Sequence, residues 1–190
     1  MNLYKFHSNP YELIGYTDRD FLFSDEAGEL LLQGKEVTKK VIGSLDFYST
    51  PITSLPDNLT VSGYLDLEGT PITSLPDNLT VGGGLFLGDT KITSLPDNLT
   101  VGGNLRLSRT PITSLPDNLT VGGYLDLSGT PITALPDNLT VGRYLDLSDS
   151  DITSLPDNLT VGGTLWLEDT PNLDKNNLPS SLVVKGKIHK

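Results

Sequence analysis

The sequence predicts a repeat solenoid, a chain wound into stacked coils of twenty residues. A twenty-residue unit, V-S-G-Y-L-D-L-E-G-T-P-I-T-S-L-P-D-N-L-T from Val61, recurs from Val81, Val101, Val121, Val141 and Val161, with an earlier copy from Val41. Six apolar places repeat with it: Val61, Leu65, Leu67, Ile72, Leu75 and Leu79 in the copy from Val61. Six side chains cannot offset the ordering of twenty residues, so a unit is stable only when stacked on its neighbours. The substitutions between copies, finally, gather at two positions on either side of one leucine, as expected where a fixed frame carries a variable surface.

The elements follow in chain order. Residues 1–40 are off-pattern and rich in aromatics (Tyr4, Phe6, Tyr11, Tyr16, Phe21 and Phe23), and are expected to form an N-terminal cap with Leu30-Leu31-Leu32 as a first irregular strand. Residues 41–170 hold about seven repeats. Within one, Tyr64-Leu65-Asp66-Leu67 alternates polar and apolar, which predicts a short strand with Leu65 and Leu67 facing the core and Tyr64, Asp66 and Glu68 facing out. Gly69-Thr70-Pro71 ends it. Ile72 and Leu75 carry the apolar side across an irregular stretch, and Pro76-Asp77-Asn78 makes a second turn. Leu79-Thr80-Val81 is a candidate second extended piece, after which a Gly-Gly or Ser-Gly pair returns the chain to the next strand. Residues 171–190 form the expected C-terminal cap. Three extra residues precede Leu178-Pro179, and Val184-Lys185-Gly186-Lys187-Ile188 reads as a final half coil whose lysines blunt an open edge. The column Thr50, Thr70, Thr90, Thr110, Thr130, Ser150 and Thr170 is expected to satisfy backbone groups at the turn.

The pattern L-x-L-x-x-T-x-I-x-x-L-P-x-x-L resembles the leucine-rich repeat, with Leu65, Leu67 and Ile72 at that motif's later apolar positions and Thr70 where the family has asparagine. The twenty-residue length and Leu75-Pro76 are most similar to short bacterial repeats of secreted effectors, and to Ile-Thr-Ser-Leu-Pro-Asp-Asn-Leu repeats of phage and bacterial proteins. The resemblance implies a horseshoe with a parallel sheet on its concave face and an irregular convex side. The chain departs from the motif where Ser62 or glycine takes the first apolar place, Val61 standing one residue earlier. A parallel β-solenoid with two strands per coil therefore stays open. Some effectors of the family carry a cysteine-dependent ubiquitin ligase after their repeats. This chain has no cysteine, so that chemistry has no nucleophile here.

Charge narrows the partners. Residues 41–170 hold four basic and sixteen acidic side chains, a net −12, against −2 for residues 1–40 and +3 for 171–190. Such a body disfavours direct nucleic-acid binding through phosphates and favours a basic protein surface. The sequence predicts no enzyme: His7 and His189 have no repeating partners, and the Gly-Gly pairs lack the lysine of a phosphate loop. No cofactor and no metal are expected; the row Asp57, Asp77, Asp97, Asp117, Asp137 and Asp157 suits a turn by its residue type alone. No membrane span is expected, and the N-terminus lacks the apolar stretch of a secretory signal. The expected setting is cytoplasmic, or delivery as an effector by a non-classical route, and the expected state is a monomer.

The candidate site is the row of variable positions beside the strand leucine: Tyr64 and Asp66, Phe86 beside Gly84, Asn104 and Arg106, Tyr124 and Asp126, Tyr144 and Asp146, Thr164 and Trp166, with Ser44 and Asp46 in the earliest copy. Five of the seven aromatics outside the N-terminal cap fall in it. Aromatics among charges have the makeup of an interface centre, although strand propensity alone also favours aromatics on an exposed sheet face. The function expected is a non-catalytic protein-binding module. Two alternatives stand beside it: an acidic nucleic-acid mimic, for example a phage-borne inhibitor of a host protein, and a purely structural or self-assembling repeat.

Overall fold

In a computed structural model the described residues are 21–23 and 40–190. The expected strand at Leu30-Leu31-Leu32 and most of the N-terminal cap lie outside them. All regular structure among the described residues is β-strand: β1 Phe21–Phe23, β2 Lys40–Ile42, β3 Leu45–Asp46, β4 Thr60–Val61, β5 Leu65–Asp66, β6 Thr80–Val81, β7 Leu85–Phe86, β8 Thr100–Val101, β9 Leu105–Arg106, β10 Thr120–Val121, β11 Leu125–Asp126, β12 Thr140–Val141, β13 Leu145–Asp146, β14 Thr160–Val161, β15 Leu165–Trp166, β16 Val183–Val184 and β17 Ile188–His189.

These strands make two parallel sheets. The first, nine-stranded, runs β1-β2-β4-β6-β8-β10-β12-β14-β16, and the second, eight-stranded, runs from β3 through the odd-numbered strands to β17. Each coil contributes one strand to each sheet, so the chain is a parallel β-solenoid of the two-strand kind. The strand read from alternation is β5 and its copies; the extended piece Leu79-Thr80-Val81 supplies the other sheet. Register is one coil per rung, with Leu65 on Leu85 and Thr60 on Thr80. Neighbouring rungs of such a ladder lie about 4.8 Å apart.

The ladder outlasts the two assigned residues. Leu65, Leu67 and Gly69 donate in turn to the carbonyls of Gly84, Phe86 and Gly88, at 2.8, 2.9 and 3.0 Å. The third side of the coil is irregular in every repeat, and where it begins with proline it also lacks a donor. Pro71, Pro111 and Pro131 have no N–H to give, whereas Lys91 and Asp151, at the equivalent place, donate to Ile72 and Thr130 of the coil below, each at 3.2 Å.

The core is the repeated apolar set. Val61, Leu65, Leu67, Ile72 and Leu79 are fully buried, and their copies line one continuous interior from Val41 to Leu173. The threonine column closes the coil as expected. Thr70 Oγ1 donates to the Leu67 carbonyl at 2.7 Å, and Thr50, Thr90, Thr110, Thr130, Ser150 and Thr170 repeat the bond. The residue before it is left-handed in every coil: Ser49, Gly69, Asp89, Arg109, Gly129, Asp149 and Asp169 have φ between 50° and 66°.

The other turn depends on close backbone approach. A Cβ on Gly82 would lie 2.5 Å from the Ser62 carbonyl oxygen, and Gly102, Gly122, Gly142 and Gly162 meet the same oxygen of the preceding coil. Ile42 and Ser62 precede the glycines in this column, and the Ser62 hydroxyl accepts the Gly43 amide at 2.8 Å.

The C-terminal half coil forms where the sequence placed it. Thr160 pairs with Val183 and Leu165 with Ile188, so the three extra residues are absorbed between 171 and 182 while both sheets continue. At the other end, Phe21–Phe23 pairs with Lys40–Ile42 and adds a rung to the first sheet before the repeats begin.

Candidate interaction face

Inward leucines fix which way their neighbours point. Because Leu65 and Leu67 and their copies are buried, Tyr64 and Asp66 and their copies stand on the outer side of the second sheet. All of the sequence-selected residues lie there: Tyr64, Asp66, Phe86, Asn104, Arg106, Tyr124, Asp126, Tyr144, Asp146, Thr164 and Trp166 are exposed or half-buried, in two columns one rung apart.

The columns order themselves into aromatic steps. Tyr64 tilts against Phe86 at 6.2 Å between ring centroids, and Tyr124 stacks on Tyr144 at 4.7 Å with planes 7° apart. Trp166 stacks on His189 at 3.9 Å. Gly84 gives Phe86 its room, since a Cβ there would come within 2.7 Å of the Phe86 ring tip.

Between the first two aromatic steps lies a knot of charge. Arg106 reaches Glu68 at 3.0 Å, two coils away, and Asp126 at 3.2 Å, and its Nε donates to Ser108 Oγ. Glu68 crosses over Gly88, where a Cβ would press on its carboxylate. Arg106 is thus engaged within the chain. The aspartates are partly engaged as well: one oxygen each of Asp46, Asp66, Asp126 and Asp146 accepts the amide two residues on, closing an Asx turn. Asn104 Oδ1 accepts the Tyr124 amide, as Ser44 Oγ accepts that of Tyr64. These polar residues therefore serve the turn and the ladder while facing solvent.

Burial raises two neighbouring acids of this face. Asp66 and Glu68 are both raised above the ordinary carboxylate range, first by desolvation. For Asp66 the Glu68 amide opposes the shift, and for Glu68 the Arg106 charge does. Tyr124 and Tyr144 are raised by desolvation too, so both phenols stay neutral and able to donate. Asp89, on the rim, is held below the ordinary range by its bidentate bond from Arg109.

Sequence reasoning passed over three members of this face. Glu68 lies two residues beyond Asp66 and was marked only as outward. His189 joins the column of Trp166 only when the three-residue insertion is counted. Arg143 stands where Gly63, Gly83, Gly103, Gly123 and Gly163 stand in other coils, and that single exception was its signal. Arg143, Tyr144, Asp146, Thr164 and Trp166 line an open depression of about 580 Å³. Among the described residues no three His, Asp or Glu side chains gather closely enough to hold a metal ion. No family model matches the chain, and no curated protein matches it in sequence.

Proposed function

We propose that this chain is a non-catalytic module that holds a protein partner on the outer side of its second sheet. One observation carries the reading: the two positions beside the strand leucine change from coil to coil on this surface, and their aromatics lie there in ring pairs. Tyr64 and Tyr144 keep 41% and 38% of their surface in solvent, amounts that a partner could cover. Rigid aromatic anchors dominate binding energy at protein interfaces. The likeness to leucine-rich repeats supports the same face, because that family presents its strand residues to partners. Arg106 and the turn-closing aspartates set the charge pattern around the anchors, and the acidic body favours a basic surface opposite them.

The test uses three forms of the chain as bait in its native cell extract. They are the wild type, a form with Tyr64, Phe86, Tyr124 and Tyr144 changed to serine, and a control with Thr100, Thr120 and Thr140 of the first sheet changed to alanine. A protein retained by the wild type and the control but lost from the serine form is the expected result. With that partner purified, Tyr124→Ala should weaken binding by about 2 kcal/mol at unchanged thermal stability. A partner held equally by all three forms removes the assignment. One that is released by DNA and by Asp97→Asn with Asp117→Asn makes the chain a nucleic-acid mimic instead.

A further inference from the structure

The two aromatic stacks nearest the C-terminus stop at each other. Tyr144 has Tyr124 on one face. On its other side the same column continues with Thr164, since Leu145 pairs with Leu165, and a threonine cannot cover a ring. Trp166 has His189, from the following coil, on one face. Its other face looks back towards the layer of Asp146 and Tyr144. Tyr144, 38% exposed, and Trp166, half-buried, thus border the same step from successive coils, a single rung apart. The depression of about 580 Å³ lies across this step, within the usual range for small-molecule sites.

Gly142, Gly162 and Gly163 complete its lining and offer backbone there with no side chain over it. Its polar rim is unlike that of any other coil. Arg143 replaces the glycine of the column and has no carboxylate within ion-pair distance among the described residues. Asp146 has one oxygen on the Ser148 amide and its second in no hydrogen bond among the described residues. A guanidinium and a carboxylate oxygen with no partner among the described residues, and a threonine hydroxyl, therefore edge two aromatic side chains.

We propose that this step binds a neutral saccharide, one sugar ring lying on Tyr144 in the layer of Thr164 with its edge against Trp166. The aliphatic face of a sugar ring suits an aromatic face. Its neighbouring hydroxyls suit a carboxylate and a guanidinium together, since each hydroxyl both donates and accepts. Other ligands fit less of the lining. A cation would meet Arg143, an anion would meet Asp146 within an acidic body, and a plain aromatic ring would leave both charges unanswered. The site shares Tyr144, Asp146, Thr164 and Trp166 with the proposed protein-binding face, but it is argued from this step alone and does not need that reading.

Trp166 is the single tryptophan of the chain, so its emission reports on this site. The full chain is titrated with neutral di- and trisaccharides of glucose, galactose, mannose and N-acetylglucosamine, and separately with N-acetylarginine amide and inorganic phosphate. At least one saccharide should shift the emission saturably. Arg143→Gly, which installs the residue of the other coils, and Asp146→Asn should each weaken that binding about tenfold, while Thr100→Ala on the first sheet leaves it unchanged. The proposal is overturned if no saccharide saturates the signal up to roughly 20 mM. It is equally overturned if only the arginine amide or phosphate does so, or if Arg143→Gly binds as the wild type does.

Discussion

Asp149 and Gly129 occupy the same corner of successive coils with nearly the same backbone, φ 57° and 66°. An L-residue there gives up roughly 1–2 kcal/mol, and glycine returns only part of that through its looser unfolded chain. Aspartate bears this conformation more easily than most residues, whereas Ser49 holds the same corner at φ 54°; Ser49→Gly should therefore raise stability by about 0.5–1 kcal/mol, seen as a higher urea midpoint, and a lower midpoint would contradict the account. The acids of the outer row make a second prediction. Asp66 and Glu68 are raised in the fold, so their ionised forms oppose folding. Stability from these groups is complete below the ordinary carboxylate values of about 4 and is lost as pH rises through the higher folded values. Acidification from neutral pH towards about 4.5 should then stabilise the chain, and Asp66→Asn should flatten that slope. Asp89 runs the other way, since its lowered value contributes stability above the ordinary range that is lost on acidification. Its pair with Arg109 is exposed and screened, so the contribution is small.

Among elements, the contrast is between two zipped sides of the coil and one that proline leaves open. Amides of Leu65, Leu67 and their copies should resist hydrogen exchange longest. Those of Thr73, Ser74 and their copies, on the proline-bounded side, should exchange by local opening far sooner, except Thr153, whose amide donates to the Thr133 carbonyl at 2.9 Å. Equal protection on all three sides would mean that the irregular side is bonded in some other way. Most of these elements were legible in the sequence, because strict repetition makes each inference seven observations instead of one. Alternation marked the β5 strand, and the threonine column and the final half coil were readable from position alone. The engagements within the outer row were not. Nothing in the spacing of Glu68 and Arg106 says that the two meet across an intervening coil, because their contact depends on the bare backbone of Gly88 beneath them. His189 was hidden by a register shift, and Arg143 was one exception among many substitutions.

At the scale of the whole molecule, stability is the sum of coil-on-coil contacts and not the property of one centre. Residues 121–140 can then be excised, joining Thr120 to Val141 at a junction that every other coil already makes. The shortened chain should fold with its sheets in register, and its urea m-value should fall in proportion to the residues removed. Loss of cooperative unfolding would show that the coils are less interchangeable than their pairing suggests. That interchangeability has a further consequence. With Leu on Leu at every rung, the outer row behaves as a strip of movable type: two letters per coil can be reset while the leucine line beneath keeps its register, only local bonds such as that from the Ser128 amide to Asp126 being exchanged. Exchanging Asn104 and Arg106 with Tyr124 and Asp126 would slide a charge one rung, about 4.8 Å, along an unchanged scaffold. A lineage carrying such a chain can thus compose new surfaces by copying and reordering whole coils, a faster route than mutating an ordinary fold residue by residue.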